Sequence, residues 1–257
     1  MRFARINLPG AAAAIGGAIS ADGGSLDLGG CRVAIPEGAF APPVTGWIYG
    51  PLLNERSTLA RFGDQLHDKP YVAPPTVPVL YFKPANTHLG HGGRVRLPAY
   101  AERVELGASL GLVFGRQVAR ASAATALDGV VGYTIVLDLS VPNASIYRPP
   151  VREKCFDGAC PIGPWVVDKA DIAAPETLAI RTFVNGTLVA ERRFDDLVRP
   201  PRQLVADVTD FMTLSEGDVL TLGYPVGAVP TAGRGDRIRI EIEGIGALDC
   251  VIEEASA

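Results

Sequence analysis

The residues able to do chemistry gather in one stretch of this 257-residue chain. Asp138 follows an apolar run at 130–137 and opens onto a segment holding Tyr147, Arg148, Arg152 and Lys154. A carboxylate at a strand end suits a hard metal ion. It suits the capping of a turn equally well. Arg148, Arg152 and Lys154 put three cations within seven residues. Guanidinium forks match carboxylates, and a lysine supplies a point charge or a proton. An anionic ligand accounts for this cluster, and so does a solvated cationic loop. His88 and His91 are three residues apart, but the Gly-rich surroundings lack a carboxylate, so surface turns are the simpler reading. There is no Gly-x-Ser-x-Gly elbow and no phosphate loop ending in Gly-Lys-Ser/Thr, and Gly90-x-Gly92-Gly93 lacks a following helix. A serine triad and a dinucleotide fingerprint are therefore unsupported.

The elements that must position these residues are mostly strands. The runs at 106–114 and 130–137 are apolar enough for buried strands. Residues 237–242 alternate charged and apolar, as a half-buried strand does. Asn185-Gly186 between 178–184 and 187–191 predicts a hairpin with a type I′ turn. Pro200-Pro201 opens a helix whose apolar stripe is Leu204, Val205, Val208, Phe211 and Met212. Asn54 is placed to cap a helix carrying Leu59, Phe62 and Leu66, and 121–127 reads as a short helix. Residues 141–164 read as one long irregular loop. Such loops are uncommon without a functional reason.

Composition limits the classes. Gly (29) and Pro (21) make up about one residue in five without a three-residue period, which fits many turns between short strands and excludes collagen. Hydrophobic residues are 47% and the net charge is -4, too apolar for a disordered chain and too weakly charged for phosphate neutralisation. Four scattered cysteines form neither a disulfide framework nor a paired zinc motif, which points to reduced thiols in the cytoplasm. No run approaches the ~20 apolar residues of a membrane span. The division expected is a small β-rich region at 1–45 and a main domain at 46–257.

Three stretches, in this order and spacing, resemble the fumarylacetoacetate hydrolase family. They are 101–115 with its apolar core, 132–140 followed by Lys154-Cys-Phe-Asp-Gly158, and 216–225 followed by 235–246. Leu53-Asn-Glu-Arg-Ser57, Tyr81-Phe-Lys-Pro84 and Ser145-Ile-Tyr-Arg-Pro149 are similar to the N-terminal-type half of the family's isomerase/decarboxylases of 4-hydroxyphenylacetate (homoprotocatechuate) catabolism. The resemblance covers about 46–253. It implies an α+β, mostly β fold, the mixed β-roll with a few short helices. It implies lyase and keto–enol isomerase chemistry on 2-oxo dicarboxylates or tricarboxylates, assisted by Mg or Mn. It also implies a homodimer, or a heterodimer with a C-terminal-type paralogue, with no nucleic acid or membrane partner.

Carried over position by position, the resemblance makes Lys154 the catalytic residue and Asp138 the metal ligand. Lys83, Tyr147, Arg148, Arg152 and Tyr224 become substrate-binding. The family's Glu-x-Glu metal pair falls on Gly107-Ala108-Ser109, its catalytic His falls on Thr58, and its Gly-Thr-Pro becomes Gly223-Tyr224-Pro225. One carboxylate holds Mg poorly. The expectation is therefore an incomplete metal site, with a paralogue supplying the intact one.

Overall fold

The computed structural model describes residues 1–69, 72–143 and 150–254. Its centre is a large, mainly antiparallel sheet. From one edge the order is Cys31–Ala34, Ser25–Leu28, Ile15–Ile19, Arg2–Ile6, Cys160–Asp168, Val130–Ser140, Arg103–Phe114, Val219–Thr221, Ile48–Leu52 and Val79–Lys83. A second sheet of five strands runs Thr187–Arg193, Ala179–Val184, Arg237–Ile242, Gly246–Ile252, Arg94–Val95. This is the α+β, mostly β architecture that the resemblance implied.

The two central strands explain why the sequence folds this way. Arg103–Phe114 and Val130–Ser140 are buried almost throughout, on both faces. A strand covered on both faces reads as a continuous apolar run. They pair antiparallel, with Glu105 opposite Ser140, Gly107 opposite Asp138 and Ser109 opposite Val136. Their apolar side chains, including Leu106, Leu110, Leu112, Ile135, Leu137 and Leu139, build the main core with the second sheet. Arg237–Ile242 alternates exposed and buried residues as its sequence predicts. Asn185 and Gly186 both have positive φ, 52° and 80°, as a type I′ turn requires.

The helices are short: α1 (Arg56–Phe62), α2 (Val151–Lys154) and α3 (Pro201–Phe211). Helix α3 starts at Pro201 and buries Leu204, Val205 and Val208, but it ends at Phe211, whose side chain is exposed. Three local expectations are corrected. Asn54 does not cap α1; Glu55 is its N-cap residue and makes no side-chain cap. Asn54 instead bonds to the backbone of Arg199 and Leu222. Of the helix expected at 121–127, only a 3-10 turn at Ala126–Gly129 forms. The segment 141–164 is not one loop, because it contains α2 and the start of the strand Cys160–Asp168. That strand is Pro- and Gly-rich, yet it lies between two partners that hold it.

The first strands extend the large sheet through Arg2–Ile6, which pairs with Cys160–Asp168, and they carry their own small core of Ala4, Ile6 and Leu26. Among the described residues, no helix is long and apolar enough to cross a membrane.

Candidate active site

Four elements converge on Asp138. It stands near the end of the strand Val130–Ser140, directly across from Gly107. Lys83 ends the strand Val79–Lys83, Lys154 ends α2, and Tyr224 follows the strand Val219–Thr221. All four side chains are buried, Lys83 completely.

Lys154 Nζ donates to Asp138 Oδ2 at 2.7 Å, Ser140 Oγ at 2.6 Å and the Tyr224 hydroxyl at 2.7 Å. Its three protons are thus all engaged. The Tyr224 hydroxyl donates to Asp138 Oδ2 at 2.8 Å, and Ser140 Oγ donates to Asp138 Oδ1 at 3.2 Å. Lys83 pairs with Asp138 Oδ1 and donates to the carbonyls of Leu139 (2.9 Å), Lys154 (2.5 Å) and Ala159 (3.2 Å). Lys83 therefore ties the strand end, α2 and the segment before the following strand together. Lys154 lies beside the rings of Tyr81 and Tyr224.

The charges follow from this packing. Burial disfavours the Asp138 carboxylate, but the Lys154 and Lys83 ammonium groups outweigh it and hold its pKa well below the usual range. Burial lowers the pKa of Lys154, and Asp138 opposes that shift. Burial, reinforced by the Asp138 charge, pushes the Tyr224 phenol well up, so it remains a proton donor.

This cluster forms part of the wall of a cavity of about 220 Å³. Its polar wall includes Lys154, Ser140, Tyr224, Glu105, Glu153 and Asn143; its apolar wall includes Leu52, Leu53, Phe62, Leu66 and Val226. Glu105 is half-buried, and burial raises its pKa, with the Lys154 charge opposing. Sequence reasoning passed over Glu105 and Ser140. Their signal was positional: both share the strand face of Gly107 and Asp138, two residues away on each strand.

Of the other residues singled out, Arg152 is exposed, stacks on the Tyr100 ring at 3.9 Å and is not among the described residues lining the cavity. Tyr147 and Arg148 lie outside the described residues.

The residues at the expected metal site do not fit a divalent ion. Gly107 brings no ligand, and a Cβ there would lie 2.5 Å from the Tyr224 ring, so the ring fills that space. Ser109 commits its hydroxyl to the Gly223 carbonyl at 2.8 Å. Asp138 is the remaining carboxylate, and both its oxygens are already held by donors. Mg and Mn prefer several oxygen ligands. Among the described residues no group of three or more His, Cys, Asp or Glu could hold a metal.

The chain is 34% identical over 204 residues to the 4-hydroxyphenylacetate degradation bifunctional isomerase/decarboxylase of Salmonella dublin, a match covering 79% of this chain and 46% of that protein. The chain thus spans about half the length of such relatives. Its fold superposes on the 2-hydroxyhepta-2,4-diene-1,7-dioate isomerase of Mycobacterium marinum with a TM-score of 0.80, 26% identity and full coverage of both chains. It shares the fold of the fumarylpyruvate hydrolase of Pseudomonas aeruginosa solved with Mn2+ and pyruvate, with a TM-score of 0.71, 22% identity, and coverage of 84% of this chain and 91% of that one. The family model for the fumarylacetoacetate (FAA) hydrolase C-terminal domain matches residues 47–253, and the chain belongs to the fumarylacetoacetate hydrolase family.

Proposed function

We propose that this chain carries out enol–keto chemistry on a 2-oxo acid, as an isomerase and decarboxylase. The observation that supports it is the Lys154–Asp138–Tyr224 cluster on the wall of a small cavity that also contains Glu105. In isomerisation, a 2-hydroxy-2,4-diene loses its O–H proton and gains a proton at C5, giving a 2-oxo-3-ene. In decarboxylation, the bond to the departing CO₂ breaks and its electron pair enters the conjugated system, which is then protonated. Both reactions pass through an enolate oxygen. The Lys154 ammonium, fixed by Asp138 and Ser140, carries the charge that this oxygen needs. The Tyr224 phenol, which donates to Asp138 and accepts from Lys154, holds that ammonium in place. Glu105, raised by burial and open to the cavity, takes up the released O–H proton and supplies the proton that the carbon gains.

The relatives in 4-hydroxyphenylacetate catabolism make 5-oxopent-3-ene-1,2,5-tricarboxylate and 2-hydroxyhepta-2,4-diene-1,7-dioate the first compounds to assay. The test is loss of the dienol absorbance with the purified chain. Lys154→Met is expected to lower the rate by about 10²-fold or more. Unchanged turnover in that variant, with the fold intact by circular dichroism, overturns the assignment.

A second reading is favoured by Gly107 and Ser109. The chain acts beside a paralogue with an intact Glu-x-Glu, as the catalytically weaker half of a dimer. Titrating such a paralogue into the assay separates the two. Activity that appears only in the mixture, and survives Lys154→Met, supports the partner role.

A further inference from the structure

The strand Arg103–Phe114 changes neighbours along one edge. Val219–Thr221 pairs with it at 111–113, and the Leu222 N–H still donates to the Leu110 carbonyl at 3.0 Å. Thr231–Gly233 pairs with it at 103–105, and the Leu106 N–H donates to the Pro230 carbonyl at 2.9 Å. Between these two, the edge at 107–109 has no strand partner among the described residues. A backbone carbonyl left open in a core must find another donor. Tyr224 belongs to the segment that crosses this gap, with its ring against Gly107.

Arg192 closes the gap. It lies on Thr187–Arg193, a strand of the second sheet. Its Nη2 donates to the Ala108 carbonyl at 2.8 Å and to the Gly223 carbonyl at 2.9 Å. One nitrogen thus joins the strand edge to the residue before Tyr224. Ser109 Oγ donates to the same Gly223 carbonyl at 2.8 Å, and Asn54 Nδ2 donates to the Leu222 carbonyl at 3.0 Å. Gly223 has a φ of +96°, which glycine adopts without steric cost, so the chain turns here. Holding the carbonyls of 222 and 223 fixes the direction in which that turn delivers Tyr224.

The geometry separates this role from simple charge balance. Arg192 Nη1 lies 3.8 Å from Glu55 Oε1, and neither Glu55 oxygen makes a hydrogen bond among the described residues. A guanidinium kept only to neutralise that acid would present its fork to the carboxylate. Arg192 instead spends its hydrogen bonds on two backbone carbonyls, and its guanidinium lies over the Phe194 ring at 4.7 Å. Hydrogen bonds from a charged donor are the stronger kind.

We infer that Arg192 is a positioning residue for the reaction: through the Gly223 carbonyl it sets the Tyr224 phenol against Asp138 and Lys154. This rests on the enol–keto reading of the site.

The experiment measures kcat and KM of the full chain on 2-hydroxyhepta-2,4-diene-1,7-dioate. Arg192→Met is made alone and together with Glu55→Gln. The double variant leaves no acid without its cation, so it carries the measurement if the single variant does not fold. In both, kcat is expected to fall about tenfold or more, with KM within about twofold of wild type. Glu55→Gln alone is expected to keep the wild-type kcat. In a Tyr224→Phe background, Arg192→Met is expected to cost less than about a further twofold, because both changes act through one phenol. Recovery of kcat in the double variant overturns the inference, since Arg192 would then only balance Glu55. A full further loss in the Tyr224→Phe background, or a change confined to KM, overturns it as well. With Lys154→Met still impaired, each of these results leaves the enol–keto assignment standing. A wild-type chain that turns over neither assay compound overturns the inference and that assignment together.

Discussion

A methyl group on Gly107 would stand 2.5 Å from the Tyr224 ring, so the ring occupies the space into which any side chain at 107 would grow. Gly107 lies opposite Asp138 in the sheet, and Tyr224 hydrogen-bonds to that same Asp138. Glycine at 107 and tyrosine at 224 therefore form one packing unit, and neither can be changed alone without cost.

The first prediction follows from that contact. Gly107→Ala is expected to destabilise the fold by about 1–3 kcal/mol, because the ring must move within a packed core. Adding Tyr224→Thr should recover most of that loss. Chemical denaturation of the two single variants and the double variant measures the coupling.

The metal site makes a second prediction. Mg2+, Mn2+ or a chelator is expected to leave the melting temperature of the wild-type chain unchanged, since ligand binding would raise it. A variant combining Gly107→Glu, Ser109→Glu and Tyr224→Thr restores carboxylates and clears the ring. It is expected to bind Mn2+, seen by electron paramagnetic resonance. A wild-type chain stabilised by either ion contradicts the reading of the site.

Lys83 and Lys154 should separate in a third set of measurements. Both pair with Asp138, but Lys83 is enclosed and holds three backbone carbonyls, whereas Lys154 lines the cavity. Lys83→Met is expected to cost about 3–5 kcal/mol, the range for breaking a buried pair. Lys154→Met should lose activity out of proportion to its loss of stability. Denaturation midpoints compared with initial rates decide this.

A fourth prediction concerns pH. Glu55 is buried, its Oε1 lies 3.8 Å from Arg192, and neither carboxyl oxygen makes a hydrogen bond among the described residues. Burial outweighs the Arg192 charge and raises its pKa from 4.5 to about 7. The folded state thus keeps a proton that the unfolded chain has already released, so stability falls as pH rises from about 4.5 through 7. Glu55→Gln removes that titration. It is expected to flatten the decline and, above pH 7, to be more stable than wild type by up to about 3 kcal/mol. Thermal melts across this range read the effect directly.

Much of the fold was legible before any coordinates. The continuous apolar runs at 106–114 and 130–137, the alternation at 237–242 and the Asn185-Gly186 turn are local patterns with local causes, and each falls within a strand or turn of the kind the sequence predicts. The candidate site was legible in part. Lys83, Asp138, Lys154 and Tyr224 were singled out on resemblance, and the structure brings these four together. Arg152 was singled out with them, yet it stacks outward on Tyr100.

The sequence by itself determined which chemical groups exist: one carboxylate at 138, glycine and serine at 107 and 109, and lysines at 83 and 154. It also determined the strands, because period and turn chemistry act over a few residues. Only the tertiary structure decided what those groups face. The 224 ring fills the space over 107, Asn54 leaves its expected helix cap for the backbone of Leu222 and Arg199, and Glu105 turns to the cavity. These contacts join residues far apart in the chain. Their energies come from burial and close packing, which no local pattern encodes.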